Sequence, residues 1–307
     1  MQTMKKLVLL VGFVFLGLNP LRLFAQPDVA ILDSAFTSNY FSLHYPDCSP
    51  AVNSFPGSPW LGAQEYKRYF LGWEWVLSHM SPSIPYQVIT DEQVTFSFLK
   101  EQEFKLLILS NTVSLSDSQQ KAVVDWVRQG GYLIATFGAG YKNIISDPKQ
   151  DDGLKLQKGG TGALHQLWGD PLMKLFTTDS LDPGGVQVRI TRASGPTPGL
   201  TVGRVLGYGA SGNLLIQRPE NFKDVYGLLA IQNPDWTKPQ PAILYKTFVR
   251  GRVVYYAFAP EFIVALDKDL PGHCWDDPNF IGGLWKGRSA DVVPLMEATV
   301  KFMLGIP

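Results

Sequence analysis

Cysteine is scarce in this 307-residue chain, with two in all, Cys48 and Cys274. Two are too few to staple a chain of this size, so its stability must come from a packed core. An excess of either charge is also missing. Lys+Arg and Asp+Glu stand at 27 each, and no run of one sign occurs. Electrostatic nucleic-acid binders carry a basic patch or stripe, so nucleic acid is disfavoured as a partner. Charged residues make up 18% against 45% hydrophobic, a balance that suits a packed interior and argues against disorder. Internal repeats and low-complexity tracts are absent. So is any apolar run able to span a bilayer, since Leu7–Leu18 supplies about 12 residues where about 20 are needed.

That short run has the setting of a secretory signal. Lys5 and Lys6 precede it, Asn19-Pro20 break it, and Leu23-Phe24-Ala25 end in the small residue a signal peptidase requires. We expect residues 1–25 to be a signal peptide and 26–307 a mature periplasmic or extracellular protein, with no membrane association after cleavage. No cysteine follows the apolar run at the cleavage point, which argues against a lipoprotein. In an oxidising compartment Cys48 and Cys274 can pair if their Cα atoms come close enough; otherwise they remain two thiols.

The first half of the mature chain alternates strand and helix signals. Val29–Asp33, Tyr86–Thr90, Lys105–Ser110 and Tyr132–Thr136 are short apolar runs of strand length. Lys105–Ser110 is continuously apolar, as a strand buried on both faces should be. Between them, Ser58-Pro59 marks a helix start, and Tyr66, Tyr69, Phe70, Trp73, Leu77 and Met80 recur at helical spacing up to Pro82. Ser116-Asp-Ser-Gln119 forms a capping box, and the helix it opens stops at Gly130-Gly131. Strands separated by helices predict a parallel, doubly wound sheet of flavodoxin-like order. Residues 163–175 have amphipathic helical character. From about 186 to 240 the signal changes to short strands separated by Pro and Gly, which predicts an antiparallel, β-rich insertion or subdomain. Ala242–Phe248 and Arg252–Phe258 predict a hairpin, and a last helix starts near Ser289 or Asp291, with Pro294 in its first turn and Gly305 at its end.

The stretch Leu106–Lys142, LLILSNTVSLSDSQQKAVVDWVRQGGYLIATFGAGYK, resembles the trimerisation domain of family-42 β-galactosidases, a domain of the class I glutamine amidotransferase-like superfamily. The late hairpin, Pro241–Tyr245 with Gly251–Phe258, and the terminal helix extend the resemblance over most of residues 29–305. It thins between about 145 and 240. Related sugar-utilisation and ThuA-like domains share these motifs, which report fold more than chemistry. In the β-galactosidases the domain accompanies a catalytic barrel, and this sequence contains no barrel. The resemblance therefore implies a relative of an accessory domain, linked to carbohydrate metabolism.

Amidotransferases of this fold place a cysteine on a sharp strand-to-helix turn. The corresponding stretch here is Thr136-Phe137-Gly138-Ala139-Gly140, which keeps the glycines and has Ala139 where the nucleophile would be. Without a deprotonatable group there, covalent catalysis through this turn is closed. His273-Cys274-Trp275-Asp276-Asp277 and His44, Asp47, Cys48 gather ligand-type side chains, but their spacing matches no recurrent zinc signature, so no metal is assigned. Lys158-Gly-Gly-Thr-Gly162 lacks the strand-loop-helix context of a phosphate loop and reads as a turn. No cofactor is implied. Glu261, Asp33 and Asp91 follow strands at carboxyl ends, where open α/β sheets bind ligands. We therefore expect Ser34, Asn111, Phe137, Gly138 and Glu261 to line one cleft, with Trp275 at its rim. Trp60, Trp168, Trp236 and Trp285 lie in or beside loops, where indoles can stack on sugar rings or cover the core. Two readings follow. One is a non-catalytic binding or assembly module whose partner is a glycan or an exported protein, with a homo-oligomer left open. The other is a hydrolase of sugar derivatives using strand-end carboxylates.

Overall fold

Apolar residues on both faces of every central strand lead to a sheet covered by helices on two sides. In the computed structural model, which describes residues 27–38, 63–140, 142–146, 154–157, 162–168, 171–172, 186–207, 216–217, 224–231, 239–270, 287 and 289–307, that is the arrangement. Four strands, β1 (Val29–Leu32), β2 (Tyr86–Ile89), β3 (Leu106–Leu109) and β5 (Tyr132–Thr136), lie in one sheet. A fifth, β14 (Gly251–Tyr256), joins them on β5. All their pairings are parallel, in the spatial order β2-β1-β3-β5-β14. This is the flavodoxin-like order, and its topological switch point lies between β1 and β3.

The period of two sorts the strand residues between two cores. Val29, Ile31, Leu106, Ile108, Ile134, Val254 and Tyr256 face one side. There they meet the stripe Phe70, Trp73, Leu77 on α1 (Ala63–His79), with α4 (Pro260–Asp267) and α5 (Ser289–Leu304). Ala30, Leu32, Leu107, Leu109, Leu133, Val253 and Tyr255 face the other side, against α2 (Phe96–Glu101) and the Val123, Trp126, Val127 stripe of α3 (Asp117–Arg128). The start expected for α1 at Ser58-Pro59, and the side chains of Tyr66 and Tyr69, lie outside the described residues. The capping box of α3 forms as read. Gln119 N–H donates to Ser116 Oγ at 3.3 Å, and Ser116 N–H donates to Gln119 Oε1 at 2.7 Å. Gly130, with φ 121, follows that helix.

β14 is also the second arm of the hairpin with β13 (Gln240–Phe248). The strands of the 186–231 region are antiparallel, and three of them continue the main sheet beyond β13. They are β12 (Asp224–Ile231), β9 (Val186–Ile190) and β10 (Val205–Gly207), in the order β13-β12-β9-β10. One sheet of nine strands results, parallel in one half and antiparallel in the other, while β4 (Ser114–Ser116), β6 (Lys142–Ser146) and β7 (Leu154–Gln157) form a small second sheet and β8 (Pro171–Leu172) pairs with β11 (Ile216–Gln217). Two segments differ from the reading of the sequence. Among the described residues, the 163–175 segment gives a 3-10 turn, Gly162–Leu164, running into one turn of α-helix, His165–Trp168, and then a strand at Pro171–Leu172. α5 starts at Ser289, so Pro294 stands in its second turn and Ala290 receives no bond from it. Among the described residues, no helix is long and apolar enough to cross a membrane.

Candidate functional site

Each parallel strand delivers its following loop to the same edge of the sheet, and the polar residues of the core gather there. After β3 the chain turns at Asn111, whose φ of 44 is left-handed, a conformation Asn tolerates better than most residues. The Asn111 N–H donates to Thr136 Oγ1, at the end of β5, over 2.8 Å. Thr136 Oγ1 in turn donates to Glu261 Oε1, and Ser110 Oγ donates to the same oxygen at 3.0 Å. Glu261 stands in the first turn of α4, where a helix favours negative charge. It is nevertheless 0% exposed. Burial pushes its pKa up to about 8, while the hydrogen bonds from Thr136 and Ser110 act in the opposite direction. Its carboxyl is therefore predominantly neutral at pH 7. Oε2 makes no hydrogen bond among the described residues, although the Trp73 indole on α1 is near enough to favour the charged form. The amide of Asn111 is likewise without a partner at either atom.

The loop after β5 closes this cluster. Phe137 N–H donates to the Tyr256 carbonyl at 3.0 Å, Gly138 N–H to Tyr255 Oη at 3.2 Å, and Gly140 N–H to the Thr112 carbonyl at 2.8 Å. Gly138 and Gly140 take the positive φ values 73 and 68 that a sharp turn requires. Ala139 sits between them, 1% exposed. Chemically the cluster can hold a proton and order three strand ends. It can pass that proton only to a group that enters the core.

Open space lies on the other side of the switch point. A pocket of about 490 Å³ is bounded by Phe36 after β1, by Asp91, Glu92 and Val94 to Phe96 after β2, and by Ser116 with α3 as far as Asp125. Asp91 closes its inner end. Asp91 Oδ2 accepts the Phe36 N–H at 3.0 Å, and Gln119 Nε2 donates to Oδ1 at 3.2 Å and to the Asp91 carbonyl at 2.9 Å. Burial raises the Asp91 pKa, with the Phe36 and Ala35 N–H groups, Ser34 and Gln119 opposing it.

The residues expected to share one cleft thus divide. Asn111 and Glu261 meet through Thr136, with Phe137 and Gly138 beside them, all buried. Ser34 also is buried, but it belongs to the Asp91 side, where its Oγ accepts the Thr37 N–H at 3.1 Å. Trp275, Cys48, Cys274, His44, His273, Trp60, Trp236 and Trp285 lie outside the described residues, as does Lys158–Thr161. Trp168 is a core residue, 0% exposed and tilted against Tyr255 with ring centroids 5.4 Å apart, so it offers no surface to a sugar. Among the described residues no group of three or more metal-ligating side chains occurs. Sequence reasoning missed Phe36, Thr95 and Phe96. The signal available was the pair of helix starts at Thr95 and Ser116, both following parallel strands.

An α/β chain with a flavodoxin-like, doubly wound sheet is what these elements define. Solved structures with a similar fold include the β-galactosidase from Bacillus circulans sp. alkalophilus, at 16% identity and TM-score 0.52 over 78% of this chain and 30% of that one. Another is the β-galactosidase from the Antarctic haloarchaeon Halorubrum lacusprofundi, at 14% identity and TM-score 0.49 over 86% and 32%. A ThuA-like protein from Bacteroides uniformis ATCC 8492 matches at 14% identity and TM-score 0.48 over 91% of this chain and 93% of its own. The chain spans less than a third of each β-galactosidase. No protein-family model matches the sequence, and no curated protein does. At these identities the likeness is one of fold.

Proposed function

We propose that this chain is an exported, non-catalytic module related to the trimerisation domain of family-42 β-galactosidases, which binds a glycan or another exported protein in carbohydrate metabolism. The observation that carries the reading is the turn after β5. It carries two left-handed glycines and leads into a strand, Lys142–Ser146, and the residue between the glycines is Ala139, a buried methyl group with no nucleophilic atom. The carboxyl group beside this turn, Glu261, is committed to Ser110 and Thr136 inside the core. Support for the carbohydrate link comes from the β-galactosidase whose fold this chain shares. Support for export comes from the order of charge, apolar run and small residues in positions 5–25.

The test is a pair of measurements on purified protein. Glutamine and a panel of nitrophenyl glycosides are expected to turn over at background rates, while a glycan array or affinity capture from the periplasmic fraction returns a ligand. Glycoside turnover that disappears in Glu261→Gln would instead establish the hydrolase reading. N-terminal sequencing of secreted material is expected to start at Gln26, and a cytosolic protein starting at Met1 would overturn export.

A further inference from the structure

We propose that the 490 Å³ pocket at the β1/β3 switch point is the ligand site, and that it takes one neutral sugar unit of a glycan. This rests on the carbohydrate-binding reading above. Its size falls within the roughly 300–1,000 Å³ typical of small-molecule pockets. Its place, beyond the carboxyl ends of β2, β1 and β3, is where open α/β sheets bind ligands.

The ligand class follows from the charges and the surfaces left free. Asp91 already receives hydrogen bonds from Phe36 N–H and Gln119, and burial raises its pKa, so it offers a cation little. Asp125 is paired with Lys121 at 2.6 Å and Arg128 at 2.8 Å. Glu92 is exposed, and its Oε2 accepts Thr90 Oγ1 at 2.7 Å. No uncompensated buried charge remains to hold an ammonium group. Asp91 and Glu92, together with the pairing of Lys121, disfavour an anion. What faces the space are the half-buried rings of Phe36 and Phe96 and the exposed hydroxyls of Thr95 and Ser118. Thr95 Oγ1 accepts the Phe98 N–H at 3.2 Å and Ser118 Oγ lies 3.0 Å from Ser116 Oγ, so each keeps further hydrogen-bonding capacity toward the pocket. Aromatic faces carry negative potential that suits the C–H face of a pyranose. Hydroxyls both donate and accept, as sugar hydroxyls do.

Calorimetric or NMR titration with methyl β-D-galactopyranoside, methyl α-D-mannopyranoside and cellobiose tests this, with tetramethylammonium and acetate as charged probes. At least one sugar is expected to bind saturably. Phe96→Ala should weaken it tenfold or more, and Ser118→Trp, which fills the pocket from an exposed position, should abolish it. Glu261→Gln should change it less than twofold. Sugar binding that survives both pocket variants overturns this site and leaves the binding-module reading standing. No sugar binding at all overturns the site and the glycan half of that reading together. Tighter binding of either charged probe than of every sugar overturns the assignment of ligand class.

Discussion

A carboxyl group sealed in the core makes stability depend on pH in a definite direction. Glu261 titrates near 8 in the folded chain, against 4.5 for the unperturbed group, because burial disfavours its charged form. The folded state therefore keeps a proton that the unfolded state releases. Its contribution is complete below pH 4.5, declines as pH rises, and is lost above about pH 8. A shift of this size is worth at most about 5 kcal/mol, and a few kcal/mol once water can reach the site on ionisation. Glu261→Gln keeps the shape and leaves an amide oxygen to accept from Ser110 and Thr136, but it cannot ionise. Urea unfolding of both proteins at intervals from pH 5 to 9 measures the effect. The wild type should lose stability relative to the variant across that range, with Asp91 and Glu74, whose pKa values are also raised, cancelling in the difference. A difference that stays flat with pH would show that Glu261 is ionised and paired in the fold, and the reasoning would fail.

Three further substitutions probe packing, hydrogen bonding and backbone strain across the fold. A Cβ on Gly72 would lie 2.9 Å from the Glu261 carbonyl carbon and closer still to its oxygen, so Gly72→Ala should push α1 off α4 and lower stability by about 3 kcal/mol in chemical denaturation. Gln119→Ala removes the partner of the Ser116 N–H and of Asp91 together, and should destabilise by about 2 kcal/mol, read as a lowered thermal midpoint. Val249, 68% exposed, opens the β13–β14 turn with a φ of 56, which strains a β-branched residue. Val249→Gly should therefore stabilise by about 1 kcal/mol in the same assay, and a loss of stability would show that the strain is not there.

The parallel half of the sheet was legible because its physics is local. Runs such as Leu106–Leu109 are buried on both faces, so they read as unbroken apolar segments. The α3 start was legible because Ser116 and Gln119 satisfy each other's backbone groups within four residues. The antiparallel half was legible as strands but not as part of the same sheet. β9, β10 and β12 carry no local mark of their partner; their place is set by β12 pairing with β13 over a sequence gap and by Ile190 and Val188 reaching the α5-side core. Pro294 was misplaced for a related reason. A proline is cheap only near a helix start, and of the two starts the sequence offers, Ser289 and Asp291, only the later places Pro294 there; the helix begins at the earlier one, where Ser289 Oγ hydrogen-bonds to Asp267.

The site was half legible, and the missing half follows from one distinction. Sequence order and the switch-point rule locate the edge where loops converge, so Ser34, Asn111, Gly138 and Glu261 were found together. They do not say which side of the switch point is filled. β1 sends its chain toward α1 on one face, and β3 sends its chain to α3 on the other, so the edge divides between them. On the β5 side, Tyr255, Tyr256 and the 137–140 turn fill the space and draw Glu261 inward. On the β2 side the residues after the strand are Asp91, Val94 and Phe96, which leave room between α2 and α3. A carboxylate's position at a strand end marked both places equally. What separates them is the volume of the neighbours: two tyrosines and a phenylalanine close one side, and short hydroxyl side chains at two helix starts keep the other open.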